Sequence, residues 1–100
     1  MRVISRSRLR QFWRRHADAE QPLQAWYRAA RSASWQNLAE LRKQVPHADL
    51  VGDCTVFNIK GNDYRLVTKV YYRAQRIYIR VILTHSDYDK GAWRSDCNSD

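Results

Sequence analysis

Residues 56–84, VFNIKGNDYRLVTKVYYRAQRIYIRVILT, decide the fold. Polar and apolar side chains alternate in the three runs 56–60, 64–72 and 76–84, and alternation with a period of two is typical of strands with one buried face. The runs are separated by Gly-Asn-Asp at 61–63 and Arg-Ala-Gln at 73–75, which are turn signals. Three strands joined by such short turns predict an antiparallel meander.

Strand parity divides the side chains of the meander between two faces. We expect the inward face to pack on helices and to consist of Phe57, Ile59, Ile79, Val81 and Leu83. The opposite parity predicts an outward set of Asn58, Lys60, Arg65, Val67, Lys69, Tyr78 and Arg80. Because neighbouring strands lie about 4.8 Å apart, the four cations of this set are expected to converge on one phosphate.

Helical spacing precedes the meander. A short first strand is predicted at 2–4, with Ser5 or Ser7 as the cap of the helix that follows. Apolar side chains then recur on one face of each of three segments. They are Leu9, Phe12, Trp13 and His16, then Leu23, Trp26, Tyr27 and Ala30, then Leu38, Leu41 and Val45. Trp13, Trp26 and Tyr27 are interpreted as packing residues, and His16 as a core-edge residue. Pro46 ends the third segment, and the neighbouring His47 is interpreted as a loop residue.

The predicted fold class is α+β. A short first strand and two to three N-terminal helices should pack on one face of a curved antiparallel sheet that ends in the three-stranded meander. The chain has 100 residues, which suits a single domain, placed here at 1–94. Residues 95–100 are expected to form a flexible tail, and Trp93 is a candidate to pin the preceding segment to the sheet.

Charge and cysteine usage narrow the partners and the compartment. The formal net charge is +8, which suits a polyanionic partner such as RNA, DNA, an anionic membrane or an acidic protein. No apolar run approaches the roughly 20 residues of a membrane span, so we expect a cytoplasmic protein that does not enter a membrane. Cys54 and Cys97 lie far apart without metal-ligand spacing and are expected to be free thiols in a reducing compartment.

The third strand ends in His85 and Tyr88, and these residues next to several cations suggest phosphate chemistry. RNA phosphodiester cleavage requires a base for the ribose 2′-OH, cations for the phosphate, and an acid for the leaving 5′ oxygen. Histidine, tyrosine or lysine can transfer the protons, and arginine can hold the charge. A solvated sheet face with a structural histidine is the alternative. No HExxH, Walker A or zinc spacing is present, so no metal or cofactor is expected.

Two segments, FNIKGNDYRL at 57–66 and THSDYDKGAW at 84–93, resemble the HigB branch of the RelE-like toxins, which are mRNA interferases of type II toxin–antitoxin systems. The first 30 residues are similar to the same pattern, so the resemblance covers the chain to about Trp93. It implies a compact fold with a first strand, helices and an antiparallel meander. It also implies cleavage of mRNA in the ribosomal A site by a metal-independent endoribonuclease.

The resemblance also assigns residues and partners. Arg65 matches an arginine expected to bind the scissile phosphate, Lys60 matches a basic position on the preceding strand, and His85, Tyr88 and Lys90 match the HxxYDK segment. With Arg80, added from strand parity, the predicted catalytic set is Lys60, Arg65, Arg80, His85 and Tyr88. The predicted RNA-binding set is Lys69, Lys90, Arg8, Arg10, Arg14 and Arg15.

The implied partners are the ribosome with its mRNA and a HigA-like helix-turn-helix antitoxin, whose complex with the toxin would bind operator DNA. The alternative is a non-catalytic basic module that binds RNA or protein.

Overall fold

Five strands form one mixed sheet in a computed structural model that describes residues 1–98. The elements are β1 (Arg2–Ile4), α1 (Arg6–Arg15), a 3-10 turn (Ala17–Ala19), α2 (Glu20–Ser32), α3 (Leu38–Gln44), β2 (Asp49–Val51), β3 (Cys54–Ile59), β4 (Tyr64–Tyr71), β5 (Arg76–Thr84), α4 (His85–Lys90) and a C-terminal 3-10 helix (Ala92–Cys97). The predicted α+β class is confirmed. Within residues 1–98, no helix combines the length and apolarity needed to cross a bilayer.

The strand order is β1-β5-β4-β3-β2. Strands β3, β4 and β5 form the predicted antiparallel meander. The first strand, β1, pairs in parallel with the start of β5, at Arg76–Tyr78. Helix α1 also packs against β5. Strand β2, which adds to the opposite edge of the sheet, was not predicted because three residues are too few for alternation to be read.

A β-bulge in β5 changes which side chains face the helices. Thr68 pairs with Ile79 but Val67 pairs with Val81, so Arg80 is an extra residue in β5. An extra residue reverses the side-chain parity of the rest of the strand. The prediction that Val81 and Leu83 face the helices is therefore wrong, because both pack on the outer face.

The helix-side core agrees with the predicted periodicity. Fully buried side chains from each layer meet there, including Leu9 of α1, Leu23 of α2, Phe57 of β3 and Leu66 of β4. Trp26 packs edge-on against Phe57, with ring centroids 5.3 Å apart. Trp13 and Tyr27 are partly buried against the same core, so the interpretation of these aromatic residues as packing residues is confirmed.

A second, smaller core lies on the outer face of the sheet. It consists of Cys54, Val56, Val67, Trp93 and Cys97, with Val81, Leu83 and Tyr88 packed around them. Trp93 is only 8% exposed, which confirms that it holds the C-terminal segment on the sheet. The middle of the face predicted to be cationic is therefore covered by the C-terminal 3-10 helix.

A disulfide joins Cys54 to Cys97, so the expectation of two free thiols is wrong. Their Cα atoms lie 5.2 Å apart although 43 residues separate them. The turn before Cys54 fits closely against the C-terminal 3-10 helix, because Asp53 N donates a hydrogen bond of 2.8 Å to Cys97 O. Gly52 has φ +59°, and a Cβ there would lie 1.9 Å from that oxygen. Only glycine fits this contact without a shift of the backbone.

The expectation of a flexible tail does not describe residues 95–97. They continue the C-terminal 3-10 helix, and Cys97 is fully buried. The disulfide and the second core hold this segment in place. The polar sequence of the segment predicts neither of these contacts. Residues 99 and 100 of the predicted tail lie outside the described residues.

Reduction of the disulfide is expected to lower the free energy of unfolding by about 2–4 kcal/mol, since opening a loop of this length frees the unfolded chain. Urea denaturation with and without dithiothreitol measures the difference. A double variant, Cys54→Ala with Cys97→Ala, is the control and should have the same midpoint in both conditions. A parent protein whose urea midpoint is the same with and without dithiothreitol would contradict the expectation.

Candidate functional site

Arg65, near the start of β4, is the central residue of the candidate site. Its side chain is buried, with 9% of the residue exposed. Nη1 donates to the carbonyl oxygens of Asn62 (3.0 Å) and Tyr64 (3.2 Å), and Nη2 donates to Asn62 Oδ1 (3.4 Å). Among residues 1–98, no carboxylate forms an ion pair with Arg65. A buried guanidinium without a carboxylate is suited to binding an external anion.

His85 meets Arg65 at the beginning of α4. Arg65 Nη2 lies 3.3 Å from His85 Nδ1, and because arginine can only donate, Nδ1 acts as the acceptor. This hydrogen-bond geometry assigns the ring proton to Nε2, which lies 3.2 Å from Asp89 Oδ2. The result is a chain of contacts from Arg65 through His85 to Asp89.

Tyr88 covers the other side of Arg65. The Arg65 Cζ atom lies 5.3 Å from the centroid of the Tyr88 ring. Trp93 stacks on the same ring at 4.6 Å, and its Nε1 donates to Tyr88 O at 2.8 Å. The structure therefore brings together three predicted site residues, Arg65, His85 and Tyr88.

Helix α4 explains how these side chains are placed. Its first turn is capped by the Thr84 hydroxyl, which accepts from Asp87 N at 3.1 Å, and it ends at Gly91 with φ +79°. Residues at i, i+3 and i+4 share one side of a helix, so His85, Tyr88 and Asp89 point toward the same region. Sequence reasoning missed Asp89 because this helix was not predicted.

An open cleft of about 560 Å³ lies beside the cluster. It is lined by His16, Asn62, Asp63, Tyr64, Thr84, His85 and Ser86. The half-buried His16 ring stacks on Phe12 at 4.4 Å and meets Tyr64 edge-on at 5.4 Å. The interpretation of His16 as a core-edge residue describes its packing but missed that its ring reaches the cleft.

Lys60 lies near the cleft but does not reach the Arg65 cluster. It has φ +53°, and its Nζ lies 2.6 Å from Asp18 Oδ2 and 3.5 Å from Asp63 Oδ2. Tyr64 donates its hydroxyl proton to Asp18 Oδ1 at 2.5 Å. The hydrogen bonds from Lys60 and Tyr64 lower the pKa of Asp18, and the Asp18 carboxylate raises the pKa of both donors.

Arg80 and Lys69 lie beyond the second core. Arg80 donates from Nε and Nη2 to the Asp96 carboxylate, at 2.7 and 2.9 Å. These bonds raise the pKa of Arg80 and lower the pKa of Asp96. Lys69 Nζ lies 3.4 Å from Asp53 Oδ2. The four predicted cations therefore do not converge on one phosphate, because the C-terminal 3-10 helix lies between Arg65 and these two.

The predicted RNA-binding arginines lie on α1. Arg8 and Arg15, with Arg80, line an open groove of about 490 Å³ between α1 and β5, and Arg8 Nη1 donates to Arg80 O at 2.6 Å. Phe12 lines this groove and also stacks on His16, so the groove leads toward the cleft. Arg10 and Arg14 are exposed on α1, and Lys90 is exposed at the end of α4 with Asp87 3.5 Å away.

Acid is expected to weaken the Asp18–Lys60 pair. Because the pKa of folded Asp18 is below its ordinary value of 3.8, its contribution is complete above that value and is lost as the pH falls through the lowered pKa. Asp18→Asn should therefore lose less stability than the parent on acidification. Thermal melting across the acid range measures this, with the exposed Asp49→Asn as control. Parallel losses in the parent and Asp18→Asn would contradict the assignment.

Comparison with known proteins defines the class. A family model described as "HigB_toxin, RelE-like toxic component of a toxin-antitoxin system" matches residues 19–91. The class is thus the toxic component of a toxin–antitoxin system, with a RelE-like fold. The chain belongs to the HigB family within that class, as the sequence resemblance predicted.

Two relatives show how the similarity is distributed. The mRNA interferase toxin HigB of Escherichia coli (strain K12) is 47% identical over 34 residues, which cover 34% of this chain and 33% of that protein. The mRNA interferase HigB of Escherichia coli O6:H1 is 23% identical over 93 residues, which cover 90% of each chain. The first match therefore spans about a third of the length of its relative.

Proposed function

We propose that this protein is an endoribonuclease toxin that cuts mRNA in the ribosomal A site and depends on the ribosome to do so. One observation carries the proposal, the buried Arg65 guanidinium that contacts His85 and has no carboxylate partner among residues 1–98. The name mRNA interferase, borne by both relatives, supports RNA as the substrate.

Arg65 would bind the scissile phosphate. A guanidinium offers paired N–H groups that match two phosphate oxygens, and the charge that develops on the phosphate during attack is stabilised best by donors already in place. The carbonyl groups of Asn62 and Tyr64 fix the guanidinium plane before substrate arrives. Tyr88, held by Trp93, would keep the guanidinium from turning away.

His85 would be the general base. Arg65 Nη2 hydrogen-bonds to the lone pair of His85 Nδ1 in the free protein. A phosphate oxygen that accepts from Nη2 in place of His85 would release that lone pair while the guanidinium stays where the carbonyl groups hold it. His85 would then take the proton of the ribose 2′-OH, and the Asp89 carboxylate beside Nε2 would stabilise the imidazolium. The 2′ oxygen bonds to phosphorus as the bond from phosphorus to the 5′ oxygen breaks. The products are a 2′,3′-cyclic phosphate and a 5′-hydroxyl, and no step is assigned to a metal.

The remaining cations are assigned to RNA binding rather than to the chemical step. Lys60 is held by Asp18 at the edge of the cleft, and Arg80 lies in the α1–β5 groove with Arg8 and Arg15. We propose that the groove guides RNA to the cleft and that Arg10, Arg14, Lys69 and Lys90 contact ribosomal RNA. The exposure and positive charge of Arg10, Arg14 and Lys90 support this assignment. Lys69 is included for its charge alone, because its side chain is only 20% exposed and pairs with Asp53.

Dependence on the ribosome is supported by the shape of the site. The cleft is open, so the protein encloses little of a flexible RNA strand and gains little from ordering it. A ribosome that holds mRNA in a fixed conformation would supply the positioning. Primer extension on an mRNA in a reconstituted translation reaction, with and without ribosomes, tests this. Cuts inside A-site codons only with ribosomes are expected, and ribosome binding without cuts would favour a non-catalytic binding module.

A toxin of a toxin–antitoxin system implies a cognate antitoxin, and we propose a HigA-like helix-turn-helix protein for this role. Toxin and antitoxin would meet in the cytoplasm, and the complex would reach operator DNA through the antitoxin. Expression of the toxin alone should arrest growth, and co-expression of a small helix-turn-helix protein from the neighbouring reading frame should restore it. Growth arrest that persists with every neighbouring reading frame would contradict this pairing.

A further inference from the structure

His16 is the second histidine of the cleft, and its position suggests a chemical role. Cleavage by the proposed route needs two proton transfers at opposite sides of the phosphorus, one from the 2′ oxygen and one to the 5′ oxygen. Resting on the proposed function, we propose that His16 is the general acid that protonates the 5′ oxygen as it leaves, while His85 is the base. Nothing in the family match reaches this residue, because the match begins at residue 19.

The cleft geometry supports this pairing. His16 comes from the end of α1 and His85 from the beginning of α4, and both rings line the same cleft. A volume of about 560 Å³ lies within the range of pockets that hold a small ligand, so a ribose and its phosphate can stand between them. As the base, His85 would use Nδ1 for the proton of the 2′ oxygen while its Nε2 stays beside Asp89. A second group is therefore needed for the other proton.

The His16 ring is held in place without using its nitrogens. Phe12 stacks on one face at 4.4 Å and Tyr64 approaches edge-on at 5.4 Å. Within residues 1–98, the two ring nitrogens make no hydrogen bond to protein, so these aromatic contacts hold the ring. An oriented imidazole with free nitrogens beside an open cleft can give a proton to a bound substrate.

Charged and titratable groups near His16 come from the 3-10 turn, the β3–β4 turn and α4. Asp18 of the 3-10 turn binds Tyr64, whose ring contacts His16. Lys60 and Asp63 of the β3–β4 turn form an ion pair at the cleft edge, and His85 faces the cleft from α4. These two carboxylates outnumber the one lysine, so the groups named do not make the surroundings of His16 strongly cationic.

The test separates proton transfer from packing. His16→Phe keeps an aromatic ring between Phe12 and Tyr64 but has no proton to give. We expect it to retain ribosome binding and to lower single-turnover cleavage by about 10²–10⁴-fold. Its residual activity should also lose the decline at alkaline pH that a general acid produces. The control is His47→Phe, a histidine exposed in the loop after α3, which should leave rate and pH profile unchanged.

An mRNA with a bridging 5′ sulfur at the scissile phosphate identifies the role directly, because a thiolate leaves without being protonated. His16→Phe should cut this RNA at nearly the parental rate, whereas His85→Asn should remain slow. His16→Phe that matches the parent on ordinary RNA, or that is equally slow on both RNAs, would overturn the assignment while the proposed function stands. A parent protein that cuts neither RNA would overturn both.

Discussion

Substitution of Arg65 by alanine is expected to lower mRNA cleavage on ribosomes by about 10²–10³-fold, the loss that follows removal of a preorganised donor to a developing oxyanion. The effect should fall on the cleavage step, because Arg65 is buried and contributes little to the charged surface that would meet the ribosome. Ribosome co-sedimentation and single-turnover cleavage measure the two quantities separately.

Arg65→Lys and Arg73→Ala complete this experiment. Lysine retains the charge but lacks the planar fork that the Asn62 and Tyr64 carbonyls hold, so Arg65→Lys should recover only part of the lost rate. Arg73 is exposed in the β4–β5 turn, and Arg73→Ala removes the same charge far from the cleft. Equal losses in Arg65→Ala and Arg73→Ala would show that net charge, and not the position of Arg65, supports cleavage.

His85→Asn is expected to lower the cleavage rate by about 10²–10⁴-fold, the usual contribution of a general base. Asparagine can still meet Arg65 and Asp89 by hydrogen bonds, so the cluster should keep its shape while losing a group that accepts a proton. The acid-side rise of the pH–rate profile should disappear with it. Single-turnover rates across the pH range in which ribosomes are stable measure both effects.

His47→Asn serves as the matched control for this change, because it removes a histidine that is exposed outside the cleft. A His85→Asn protein that cuts at the parental rate would remove His85 from the chemical step. The Arg65 prediction would survive that result, because phosphate binding by Arg65 does not require His85 to accept a proton.

The sequence predicted the framework because its largest signals are periodic. Alternation in β3, β4 and the first half of β5, and helical spacing in α1 and α2, each extend over enough residues to define a face. The bulge at Arg80 could not be predicted in this way. Residues 81–83 are all apolar, so the sequence pattern looks the same with or without an inserted residue. The insertion changes only which of these side chains face the helices.

Part of the candidate site could be predicted from one strand, which carries Arg65, and one short motif, the HxxYDK segment. Arg65 and the HxxYDK segment meet because β4 and β5 are neighbours, which the meander implies. Asp89 and His16 were missed for different reasons. Asp89 needed recognition of α4, for which Thr84 as cap and Gly91 as terminator are the available signals. His16 follows the apolar stripe of α1, and only the packing of α1 beside β4 and β5 brings it to the cleft.

Long-range contacts explain the remaining errors. The disulfide depends on how the β2–β3 turn meets the C-terminal 3-10 helix, and no local pattern around Cys54 or Cys97 encodes that meeting. The ion pairs of Lys60 with Asp18 and of Arg80 with Asp96 likewise join residues distant in sequence. The prediction from strand parity did not include these ion pairs, so it wrongly expected the cations to converge on one phosphate.

The most direct test of the central claim is the chemistry of the cut ends. An mRNA is cut on ribosomes by the parent protein, and the two ends at the A-site cut are identified, with a second mRNA carrying a 2′-deoxyribose at that position. We expect a 2′,3′-cyclic phosphate upstream, a 5′-hydroxyl downstream, and no cut in the deoxy substrate. A 5′-phosphate, or cleavage of the deoxy substrate, would contradict attack by the 2′ oxygen and with it the roles proposed for Arg65 and His85.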